Sequence, residues 1–141
     1  MTLRQQYSGN PTIRRLIEYK ATCAGDDIDA AVKLVHQLNE DWWIDLETGE
    51  KKQRNVGEAL MLIVTELAEA MEGYRRGLQS DHLPEYSALE EELADTVIRI
   101  LDLAGGLGLR LGEAVAAKLI YNLTRPDHDL AARRAEGGKK V

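Results

Sequence analysis

Two segments, Thr65-Glu66-Leu67-Ala68-Glu69 and Glu91-Glu92-Leu93-Ala94-Asp95, decide how this chain is read. Both lie in the span 58–102, and each sets two acids three residues apart in apolar surroundings. On a helix, three steps separate side chains by ~60° in azimuth and ~4.5 Å along the axis, so each pair can aim at one spot. Two such helices face to face gather four carboxylates, and four carboxylates in one place require a compensating cation.

The flanking residues carry a helical rhythm. Asn55 is placed to cap the first helix, Leu60, Val64, Leu67, Met71 and Tyr74 form a stripe along it, and Gly77 ends it. The second starts near Ser87 and is expected to end at Gly105, with Leu89, Leu93, Val97, Ile100 and Leu103 as its stripe. Ala94, Ile98 and Leu101 widen that stripe, which leaves Glu92, Asp95, Arg99 and Asp102 as a narrow polar strip. Helices apolar on this many sides are hard to cover with a short chain, so the pattern predicts a homo-oligomer.

Outward from this pair the rhythm stays helical. Asn10 and Pro11 open a helix that is expected to stop at Gly25, and Asp26 or Asp27 caps another whose apolar side runs from Ile28 to Leu38. Residues 44–54 read as a loop, with a turn at Thr48 and Gly49. A last helix runs over 113–123 and carries Lys118 and Asn122 four residues apart on one face, until Pro126 stops it. Few stretches alternate with period two. The expected architecture is all-α, an antiparallel bundle of four to five helices. Residues 1–25 form a partly helical arm, 26–126 the helical domain and 127–141 a charged tail.

Composition narrows the function classes. The 141 residues suit one core, and the formal charge of -6 argues against an electrostatic grip on nucleic acid or on an anionic membrane. The longest uninterrupted apolar run, 59–64, is too short to span a bilayer, and no apolar stretch of signal-peptide length stands at the N-terminus. The lone Cys23 has no intramolecular disulfide partner, so a cytoplasmic protein is expected.

An isolated acidic pair is most often a solvated helix face. Two pairs on strongly apolar helices point instead to divalent-cation chemistry. Mg²⁺ takes one or two carboxylates, keeps waters and accepts phosphate oxygens, a design suited to hydrolysis of a phosphoanhydride. Lys118 then serves as a point charge for phosphate, Asn122 as a hydrogen-bond donor, and Arg75, beyond Glu69, as a further cation. Other routes are missing. There is no Gly-x-x-x-x-Gly-Lys-Ser/Thr loop and no Glu-x-x-His, and Cys23 has no His near it in sequence.

Taken together, Glu66-x-x-Glu69, then Glu92-x-x-Asp95 after 22 intervening residues, then Lys118-x-x-x-Asn122, resemble the MazG-like all-α nucleoside triphosphate pyrophosphatases, a superfamily that includes dimeric dUTPases. The resemblance covers roughly residues 28–126. It implies cleavage of a (deoxy)nucleoside triphosphate to the monophosphate and pyrophosphate by water attack on the α-phosphorus. By that resemblance Glu66, Glu69, Glu92 and Asp95 ligate Mg²⁺, with Mn²⁺ an acceptable substitute, and one of them orients the water. It likewise implies phosphate and sugar contacts from Lys118 and Asn122, base contacts from Gln37 and Asn39, and a homodimer or homotetramer; Trp42 is a further candidate base contact through its aromatic face. Two features depart from the family: Arg110, Leu111 and Gly112 stand where an acidic or small polar cap is usual, and the loop from Trp42 to Arg54 is long and charged. The rival reading is a catalytically inactive nucleotide-binding or regulatory module on the same scaffold. A third is hydrolysis of a different phosphoanhydride at the same site.

Overall fold

A computed structural model describes residues 2–138, and among them the secondary structure is helical, with only two isolated bridges, Ile44 to Lys51 and Gln79 to Ser87. The chain divides into two compact units, one formed by residues 2–30 with 110–138 and the other by residues 31–109.

In the first unit α1, Leu3–Gly9, begins with a capping box in which Thr2 and Gln5 satisfy each other's backbone N–H. Tyr7 is buried and donates its hydroxyl to Glu18 at 2.9 Å. After Asn10, whose Oδ1 accepts from the amides of Thr12 and Ile13, α2 runs over Pro11–Leu38; its residues to 30 belong here. The expected break at Gly25 does not occur. Gly25 lies inside α2 because it touches another backbone: a Cβ there would come within 2.7 Å of the carbonyl oxygen of Gly112. Gly112 opens α5, Leu111–Thr124, and has no room for a side chain either, so the two glycines let the helices meet.

The unusual start of α5 is explained in the same place. Arg110 makes no side-chain cap, but Asp29 of α2 accepts from the N–H of Gly112 at 2.8 Å and supplies the missing acidic cap from a neighbouring helix. At the other end Arg4 donates to the carbonyls of Asn122 and Arg125, at 2.6 and 2.8 Å. Beyond it the expected tail contains a 3₁₀ turn at Pro126–His128 and a short α6, Leu130–Arg134, capped by Asp129. The tail's last residues, 139–141, lie outside the described residues.

The second unit is organised by α3, Val56–Arg76, and α4, Ala88–Gly106. Asn55 caps α3, Gly77 ends it at φ 61°, and Ser87 with Glu90 forms a capping box on α4. The helices run antiparallel. A Cβ on Gly73 would meet that of Ala88 at 2.9 Å at one end, while Ala59, Ile63 and Leu103 join Trp43 in a buried cluster at the other. Among the described residues, no helix is long and apolar enough to cross a membrane.

The packed face of α3 is not the face the stripe suggests. Leu60, Val64, Leu67, Met71 and Tyr74 are 45–69% exposed, whereas Ala59, Ile63, Glu66, Ala70 and Gly73 are buried. On α4, Leu103 is buried but Leu93, Val97 and Ile100 are exposed. Small residues bring the two backbones close, and large apolar residues are left on the outer surface. The rhythm marks where apolar side chains recur; it does not reveal which recurring set meets the partner helix.

Candidate metal centre

Close packing through alanine and glycine carries the acids inward with it. Carboxylate oxygens of Glu66, Glu69 and Glu92 lie within 4.8 Å of one another. Glu66 is buried, Glu92 half-buried and Glu69 exposed, so the cluster opens to solvent on one side. Arg99, two turns after Glu92 on α4, places Nη2 2.6 Å from Glu66 Oε1. Three carboxylates thus share one guanidinium. The imbalance shows on Glu92, whose carboxyl titrates above its ordinary value of 4.5. Burial is the first cause, followed by a hydrogen bond with Glu66 and the charges of Glu69, Glu66 and Asp95.

The donor set fits a hard divalent cation. All three groups offer oxygen, and the residual negative charge is of the sign that such an ion neutralises. An octahedral Mg²⁺ with bonds of ~2.1 Å spans ~4.2 Å between opposite ligands, so small side-chain rotations bring these oxygens onto one ion.

Asp95, the fourth expected ligand, stands apart from the trio while still acting on Glu92 through its charge. It lines a cavity of about 390 Å³ with Asn39, Trp42, Arg54, Leu62 and Arg99. Two of the three expected base contacts, Asn39 and Trp42, therefore share a cavity with Asp95, and Trp42 is 75% exposed. Gln37 is exposed and is not part of that lining. Arg75 is exposed in the last turn of α3, outside the lining as well. On the other side of the trio, Glu69 and Glu92 border a second cavity of about 230 Å³, closed by the connection from Leu78 to His82. There the buried Ser80 accepts from the amides of His82 and Leu83, and a hydrogen bond from Ser80 holds Glu91 below the usual carboxylate range, aided by His82.

Lys118 and Asn122 belong to the first unit. Lys118 is exposed, with Nζ 4.7 Å from the centre of the Tyr121 ring. Asn122 Oδ1 is buried and makes no hydrogen bond, an unmet acceptor of the kind that a bound donor satisfies.

The sequence reading assigned no role to Asp102, which structure makes a hub. Asp102 is 6% exposed and accepts from Trp43 Nε1 at 3.0 and 3.1 Å and from Arg54 at 3.3 Å, and it pairs with His36 Nδ1 at 2.9 Å. Gly105 and Gly106, the last two residues of α4, also make room for this hub: Cβ atoms there would strike His36 at 2.5 Å and the Trp43 ring at 2.1 Å. The polar strip on α4 contained Arg99 and Asp102, but their partners on other elements leave no local signal. Comparison with known protein families, curated proteins and solved structures returns no match.

Proposed function

We propose that this chain is a Mg²⁺-dependent nucleoside triphosphate pyrophosphohydrolase of the MazG-like kind. The observation that carries the reading is the meeting of Glu66, Glu69 and Glu92 across the α3–α4 interface, with one guanidinium to three acids. These three residues would hold the cation, and Asp95, which lines the cavity with Arg99, would complete the set. When bound, Mg²⁺ supplies charge neutralisation for the phosphates and lowers the pKa of a water. One of Glu66, Glu69 and Glu92 would orient the attacking water and take its proton. The water oxygen bonds to the α-phosphorus as the bond to the bridging oxygen breaks, and pyrophosphate leaves. Asn39 and Trp42 offer an amide and an aromatic face to a base in the neighbouring cavity, and Arg75 on α3 is a further cation for phosphate. The exposed stripe of α3 supports the homodimer or homotetramer part of the reading.

Pyrophosphate release from a panel of (deoxy)nucleoside triphosphates with Mg²⁺ tests it. Release from at least one member, abolished by chelator, is expected; a flat panel from folded protein contradicts it. The second reading, an inactive binding module on this scaffold, has one observation in its favour: Arg99 already satisfies part of the acidic charge from within. Nucleotide binding without release identifies that case. Release confined to damaged nucleotides or other phosphoanhydrides defines the third reading at the same site.

A further inference from the structure

Among the described residues, Arg99 both pairs with the acid cluster and lines the neighbouring cavity. Its guanidinium reaches from α4 to Glu66 on α3 at 2.6 Å, and the same side chain lines the 390 Å³ cavity next to Arg54 and Asp95. The two ends of the ion pair are not equally held. The Glu66 side chain is 8% exposed, the Arg99 side chain 42%. Glu66 is fixed in the helix interface, while Arg99 can leave at small cost because water can solvate it.

We infer that Arg99 is an internal counter-cation that occupies Glu66 before a divalent ion arrives and, once displaced, becomes a phosphate-binding residue of the cavity. The inference rests on the cation reading above and adds a residue and an order of events to it. One positive charge cannot balance three carboxylates, so a doubly charged ion outcompetes Arg99 for the cluster. Like charges then repel, and the guanidinium turns to the cavity wall it already lines. A phosphate group carried in with the ion is its natural partner there, because a planar fork of donors matches two phosphate oxygens. Arg99 thereby weakens cation binding and strengthens phosphate binding. A purely structural ion pair does neither.

The test uses the full chain as wild type, Arg99→Gln and Arg99→Lys. Free Mn²⁺ is read by electron paramagnetic resonance, and pyrophosphate binding at saturating Mn²⁺ by calorimetry. Arg99→Gln is expected to bind Mn²⁺ roughly tenfold more tightly and pyrophosphate roughly tenfold more weakly, the size of one charge-assisted hydrogen bond. Arg99→Lys keeps the charge and loses the fork, so its Mn²⁺ affinity stays near wild type while its pyrophosphate affinity falls; this variant decides the matter if Arg99→Gln fails to fold. Equal Mn²⁺ affinity in wild type and Arg99→Gln overturns the role of Arg99 and leaves the cation site standing. No Mn²⁺ binding by either protein overturns both. Pyrophosphate affinity unchanged in Arg99→Lys overturns the phosphate role.

Discussion

The α3–α4 hairpin buries carboxylates at two places, and it treats them differently. Asp102 is fully answered: an indole N–H, an imidazole and a guanidinium converge on its two oxygens. Glu66, Glu69 and Glu92 have one guanidinium among them, and Glu92 holds its proton more tightly, first because it is partly buried and then because of the acids around it. A buried charge with complete partners is a closed structural joint. A cluster with too few partners is chemically open, and a site that expects a ligand from solution has this form. Along α4 Glu92 and Asp102 are separated by Asp95 and Arg99, and Asp95, Arg99 and Asp102 line one cavity.

The comparison breaks most directly through activity. Glu69→Gln is expected to lower pyrophosphate release by ~10²-fold or more, since loss of a ligand exceeds the 10- to 100-fold typical of its supporting partners. Asp95→Asn, outside the trio, should weaken Mg²⁺ affinity less than Glu69→Gln does. Comparable losses in the two variants would place Asp95 in the innermost set after all.

Stability sharpens the contrast in the opposite direction. Asp102→Ala removes the acceptor for three donors and should cost about 3 kcal/mol in chemical denaturation, because Arg54 loses its counter-charge and the Trp43 and His36 ring nitrogens lose their partner. Glu92→Gln in chelator should not destabilise, since it relieves like-charge crowding. A large loss from Glu92→Gln, or none from Asp102→Ala, would erase the distinction between joint and site.

The smallest effect is a pH dependence. Glu92 has a higher pKa folded than unfolded, so the folded state binds its proton more tightly. That contribution to stability is full below about pH 4.5 and is lost as pH rises through the raised folded value. In chelator, Glu92→Gln should flatten this part of the stability profile. Equal profiles for the variant and wild type would show that Glu92 is not crowded in solution.

Much of the hairpin was legible in advance because its signals are local. Asn55, Gly77 and Ser87 act on their own helix ends, and the i, i+3 acids share a helix face whatever the rest of the chain does. What stayed hidden depends on contacts distant in sequence. Gly25 reads as a break and is a helix-packing contact; Gly105 and Gly106 close α4 as expected, but the room they leave for His36 and Trp43 has no local mark. The stripe from Leu60 to Tyr74 marks where large apolar residues recur, yet the alanine and glycine face is what packs and draws Glu66 inside. The α1 capping box at Thr2 and Gln5 is a local signal of the same kind, written in the Thr-x-x-Gln spacing.

Calorimetric titration of Mg²⁺ into wild type and Glu69→Gln tests the central claim most directly. The account predicts saturable binding to wild type with at least one ion per chain and its loss, or a weakening of at least ~10-fold, in the variant. Heats indistinguishable between the two proteins, or no binding to either, would contradict the claim that these three glutamates form a cation site.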